Sequence, residues 1–150
     1  MSASAHKPSL DELQRGDDLP AFVLRVTAAD VHAYLDATGE SPAAWTHDVP
    51  PLALGAFALA GLMERVELPA GIVHTGQEYD FARAVAHDEP VEVRIRVASR
   101  SERRGAVITA LASEWRARGV IVGSARTTVL VAPLDADTSA GSGTDASGGA

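Results

Sequence analysis

Polar and apolar positions alternate with a period of two through residues 90–99, "PVEVRIRVAS": Val91, Val93, Ile95 and Val97 fall on one side, Glu92, Arg94, Arg96 and Ala98 on the other. That alternation predicts a strand with one buried and one wet face. Comparable β-rich runs stand at 71–81, 105–117 and 119–132, with "SERRG" and "RARG" as turns. Upstream the period changes. "AFVLRV" at 21–26 reads as a first strand. "TAADVHAYLDATG" then reads as a helix, with Thr27 as N-cap, Asp30 in the capping-box position and Gly39 as its stop. Ala33, Tyr34 and Ala37 are its expected apolar stripe, while His32 and Asp36 lie one turn apart on another face, a pair expected to be solvated. Pro42, Pro50 and Pro51 make residues 41–51 a loop, and Pro51 suits the first turn of a following helix. From Leu52 to about Val66, "LALGAFALAGLMERV" is apolar on every side except at Glu64 and Arg65, which predicts a buried helix whose Ala and Gly positions allow close backbone approach.

The order strand, helix, buried helix and four long strands predicts an α+β fold, an antiparallel sheet wrapped around one central apolar helix. No internal repeat or linker interrupts it, so a single domain is expected over 10–133, with residues 1–9 and 134–150 small, polar and disordered. A chain of 150 residues buries enough surface to need no staple. The net charge of −7, with arginines scattered among acids, argues against a nucleic-acid surface. Cysteine is absent, which excludes disulfides, thiolate metal sites and a cysteine nucleophile. The N-terminal stretch lacks an apolar core of signal-peptide type, and the longest apolar run is shorter than a membrane span, so a soluble, cytoplasmic protein is expected. His and acid spacing fits no metal site and "GVIVG" is no nucleotide loop, so neither metal nor cofactor is expected.

A long apolar helix followed by "HTGQEYDFARAV" and a hairpin-rich sheet resembles the hot-dog fold of the MaoC-like dehydratases, in the N-terminal type found in fatty-acid-synthase-like dehydratases and mycolic-acid dehydratase subunits. In that group a His-x-x-Gln-Glu-aromatic strand leads into Arg/Lys-Pro-Val and a Gly-Asp step. This chain offers His74, Gln77, Glu78 and Tyr79, then Arg83 and Val85, and departs from the pattern at Ala84 and at Asp88-Glu89. "PPLALGAF" at 50–57 is similar to the family's Pro-Pro start of the central helix.

The resemblance implies reversible addition of water across the 2,3 double bond of an enoyl thioester of coenzyme A or acyl carrier protein. That reaction needs a base for the water, an acid at the alpha carbon and N–H donors for the developing enolate oxygen. In active relatives an Asp and a His on Gly-Asp-x-Asn-Pro-x-His share the proton transfers. Laid over "GESPAAW", the motif puts Glu40 at the acid and Trp45 at the histidine, and indole only donates. His47, two residues on, restores an acid/base pair with Glu40 if the loop shifts register; Asp48 beside it points the other way in an extended segment. The resemblance thus implies a subunit of an (R)-specific enoyl-thioester hydratase or 3-hydroxyacyl-thioester dehydratase lacking a complete acid/base pair, dimerised with a catalytic MaoC-like subunit and walling its acyl tunnel. Pro51, Gly55, Gln77, Tyr79 and Arg83 are the candidate substrate contacts, with Arg83 and His87 placed for coenzyme A phosphates; His74 is expected to be structural. The alternatives are a stand-alone homodimeric hydratase using Glu40 and His47, a non-enzymatic acyl-thioester binder, and a hot-dog thioesterase activating water with Glu40 or Glu64.

Overall fold

The computed structural model describes residues 6–133. β1 (Phe22–Leu24) is followed by α1 (Ala28–Thr38), α2 (Pro51–Met63), β2 (Ile72–Phe81), β3 (Val91–Arg103), β4 (Ala106–Ala117) and β5 (Val120–Val131). The strands form one five-stranded sheet in the order β1-β3-β4-β5-β2, and each neighbouring pair is antiparallel. The expected α+β architecture, a hot-dog sheet against a central helix, is therefore what the chain adopts.

Alternation along the strands decides which face meets α2. Val91, Val93, Ile95 and Val97 are buried, and the register sets Val93 opposite Trp115 and Val97 opposite Leu111, both also buried. Glycine lets the helix sit close on this face: a Cβ added to Gly55 would lie 2.7 Å from the Tyr79 ring. At the far end of α2, Phe22 of β1 packs beside Gly61, and the Arg65 guanidinium lies 3.8 Å over the Phe22 ring while donating to the Gly61 carbonyl. The β3–β4 and β4–β5 hairpins turn on Arg104-Gly105 and Arg118-Gly119, all four at positive φ, as tight hairpin turns require.

Several expectations are corrected. α1 buries Val31 and Leu35, not the stripe Ala33, Tyr34, Ala37: Tyr34 is half-buried and the two alanines are exposed. The i, i+4 pair of larger side chains removes more apolar surface from water than alanine does. The capping box of Thr27 and Asp30 forms as expected. His32 and Asp36 are both exposed. α2 ends at Met63, earlier than Val66, and is not buried all round, for Leu52 is 59% exposed and Ala56 and Ala60 face outward. β3 runs on to Arg103, since the turn needs only two residues. Ser9 bridges to Glu67, whose N–H donates to the Pro8 carbonyl at 2.8 Å, so ordered backbone begins before the expected boundary at residue 10. Residues 1–5 and the expected tail 134–150 lie outside the described residues. No described helix is long and apolar enough to cross a membrane.

Candidate functional site

The loop before α2 is held by the segment after β2. The Val49 N–H donates to the Val85 carbonyl at 2.8 Å, and the His87 N–H to the His47 carbonyl at 2.9 Å. Asp48 and Ala86 form an antiparallel bridge, and His87 Nε2 lies 3.2 Å from the Asp48 carbonyl. These bonds buttress the loop along its backbone and leave the His47 and Asp48 side chains exposed.

Between these two segments and the start of α2 is a pocket of about 380 Å³. Trp45, Val49, Leu54, Phe81 and Val85 give it apolar walls, Pro51 stands at its rim, and Arg83 is its one ionisable lining residue. Glu40 and His47 do not line it. Glu40 instead follows the end of α1, its N–H closing the helix on the Leu35 carbonyl at 3.0 Å, with its side chain exposed. Pro50 and Pro51 begin α2 without a side-chain cap, so the N–H groups of Leu52 and Ala53 remain as donors with no partner among the described residues. The positive end of the helix dipole reinforces them.

Arg83 is committed within the protein. Its guanidinium donates to both Glu89 carboxylate oxygens, at 3.0 and 3.2 Å, and to the Ala84 carbonyl at 2.7 Å. The same fork lowers the Glu89 carboxyl below its usual range, chiefly through the Arg83 hydrogen bond and against the cost of burial. This pair clamps residues 83–89, the segment that anchors the loop before α2. Sequence reasoning missed Glu89 as Arg83's partner; the available signal was an acid six positions on, across a proline-poor turn.

The β2 residues were placed correctly relative to one another. Gln77 and Tyr79 face α2 while Glu78 points to the opposite face beside Arg126. Tyr79 stacks on Phe81 at 5.7 Å between ring centroids and tilts against Trp115 at 6.1 Å. Burial, with Tyr34 adding to it, raises the Tyr79 phenol above its usual value, so it stays a neutral hydroxyl. His74 Nε2 contacts the Gly76 carbonyl at 3.0 Å and Gln77 Oε1 at 3.1 Å, the structural role expected for it. Gly55 is packed against Tyr79, away from the pocket's lining. An open trough of about 800 Å³ lies on the other face of the sheet, where Arg94, Arg96 and Arg126 stand among Asp18, Glu78, Asp80 and Glu114. Its charges compensate one another, and it holds none of the loop residues. Among the described residues no cluster of His, Asp and Glu is arranged to hold a metal.

A helix N-terminus over an apolar pocket, on a five-stranded sheet of this order, can be compared with solved structures. The MaoC-like dehydratase from Rhodospirillum rubrum superposes with a TM-score of 0.68 at 20% identity, over 84% of this chain and 99% of that one. The chain has the hot-dog fold. The R-hydratase PhaJ1 from Pseudomonas aeruginosa matches with a TM-score of 0.66 at 19% identity, over 83% of this chain and 85% of that one. The HadBC (3R-hydroxyacyl-ACP dehydratase) complex from Mycobacterium tuberculosis matches at 0.63 and 20% identity, over 81% and 99%. No protein-family model and no curated relative matches the chain. At these identities the hot-dog likeness carries the fold, and the chemistry has to be argued from the pocket.

Proposed function

We propose that this chain is the non-catalytic subunit of an enoyl-thioester hydratase or 3-hydroxyacyl-thioester dehydratase, binding the acyl thioester of coenzyme A or acyl carrier protein beside a catalytic MaoC-like partner. One observation carries the reading: the pocket at the start of α2 has apolar walls, Trp45 among them, and no acid or base in its lining. Hydration adds the water oxygen to carbon 3 and a proton to carbon 2, and each proton needs a titratable group within hydrogen-bond reach. An indole and an ion-paired guanidinium do not supply it. The Leu52 and Ala53 N–H groups suit the thioester carbonyl oxygen, whose negative charge grows in the transition state. The acyl chain takes the apolar walls, and the partner subunit delivers the acid and base.

Association is supported by the sheet edge. β2 is hydrogen-bonded to β5 alone, so one row of its backbone groups is free to pair, and an unpaired edge recruits another strand. Val73 on β2 is 51% exposed and Leu52 on α2 is 59% exposed, apolar surface that a partner would cover. The test is loss of enoyl absorbance with crotonyl-CoA and a longer enoyl-CoA, for the chain alone and with a catalytic MaoC-like partner. Turnover only in the mixture is the expected result. Turnover by the chain alone that His47→Ala and Glu40→Gln both abolish would overturn the proposal in favour of a self-sufficient hydratase.

A further inference from the structure

The pocket at the start of α2 ends against three packed rings. Phe81 lines the pocket and Tyr79 stacks on it at 5.7 Å. Trp115 closes the triangle, its ring centroid 6.0 Å from that of Phe81 and 6.1 Å from that of Tyr79. Every pair falls within the ~4.5–7 Å range of favourable aromatic contact, so the rings hold one another in place. Two glycines seat the group. A Cβ added to Gly55 of α2 would fall 2.7 Å from the Tyr79 ring, and one added to Gly123 of β5 would fall 2.7 Å from the Trp115 ring. Trp115 is 1% exposed, and its indole N–H donates to the Ser113 hydroxyl at 3.1 Å.

These rings block the way along the helix. Leu54 lines the pocket, but Gly55 and Tyr79 belong to the seam beyond it, where Ala58 and Leu62 meet Gln77 and Thr127 with no room for a water molecule. A seam that excludes water excludes an alkyl chain as well. From Pro51 at the rim of the pocket to Gly55 is four residues of helix, about 6 Å. An extended chain advances about 1.2 Å per bond, so about five bonds bring an acyl chain to the Tyr79 ring.

We propose that Tyr79 is the stop that sets the length of acyl group this chain binds, limiting it to short groups of about six carbons. The inference rests on the acyl-thioester reading above and narrows its substrate class. Each methylene that enters the apolar pocket leaves water and strengthens binding about fourfold. Once the chain meets the ring, a further methylene finds no pocket surface to bury. Pushing the ring aside means parting it from Phe81 and Trp115 together.

The test is calorimetric titration of butyryl-, hexanoyl-, octanoyl- and decanoyl-CoA into the full chain. Affinity rises about 15-fold from butyryl to hexanoyl and then rises no further. Tyr79→Ala removes the stop and leaves an apolar cavity of the kind that stays dry and takes up an apolar group. In that variant affinity goes on rising, by about 15-fold from hexanoyl to octanoyl. A wild-type affinity that keeps climbing to decanoyl, a result that needs no folded variant, overturns the inference and leaves the acyl-thioester function standing. A Tyr79→Ala variant with unchanged circular dichroism and the wild-type profile does the same. Binding of none of the four ligands overturns both readings.

Discussion

Gly55→Ala tests how tightly α2 is seated on the sheet. Two effects oppose each other. In a helix interior alanine is better than glycine by about 0.8–1.0 kcal/mol, so on propensity alone the variant is more stable. Against that, the new Cβ falls 2.7 and 2.8 Å from two Tyr79 ring atoms. Carbon contacts are optimal near ~3.5–4.0 Å, so the ring must move by most of an ångström. It is not free to do so, because it lies against Phe81 and Trp115. Overpacking of this kind costs about 1–3 kcal/mol, which leaves a net loss of about 1 kcal/mol. In a Tyr79→Ala background the obstacle is gone, and the same substitution should stabilise by about 1 kcal/mol. Urea unfolding followed by circular dichroism, at one fixed protein concentration, gives both differences and hence a coupling of about 2 kcal/mol. Equal effects in the two backgrounds would refute the close seating of α2 on the sheet.

Trp45→Ala removes an aromatic wall of the pocket and should weaken acyl-CoA binding about tenfold, measured by calorimetry; unchanged affinity would take the ligand elsewhere. Glu89 is held below its ordinary value of 4.5 mainly by Arg83, so its folded pKa is depressed. Its contribution to stability is then fully present above that value and is lost as pH falls through the folded pKa. Urea midpoints across this acid range should fall for the wild type, and Glu89→Gln should flatten that part of the slope. Arg104, at φ 52 in the β3–β4 turn, occupies a position that asparagine tolerates better. Arg104→Asn should therefore raise stability by roughly 0.5–1 kcal/mol in the same assay.

The sheet was legible because period-two alternation depends on local chemistry: Val91, Val93, Ile95 and Val97 were assigned to the buried side and are buried. The α1 stripe was misread because alanines fit a helical period without burying much, and Val31 and Leu35 decide the packing. α2 looked buried all round because Leu52, Ala56 and Ala60 are apolar, but composition does not say whether a surface is covered within one chain or by another. The candidate contacts on β2 kept their faces, since alternation sets them. Two links could not be read in advance: the Arg83–Glu89 pair and the bond from the Glu40 backbone N–H to the Leu35 carbonyl lie at spacings that no periodicity announces.

Trp45 decides what the pocket at the start of α2 can do. A histidine at that position would place a proton carrier at the helix start; an indole adds apolar wall and can only donate. With Arg83 paired to Glu89, the lining holds no group that exchanges a proton near neutral pH, while Trp45, Val49, Leu54, Phe81 and Val85 keep it apolar. On the proposed function, such a pocket contributes acyl binding to an assembled enzyme, and the acid and base come from the partner subunit.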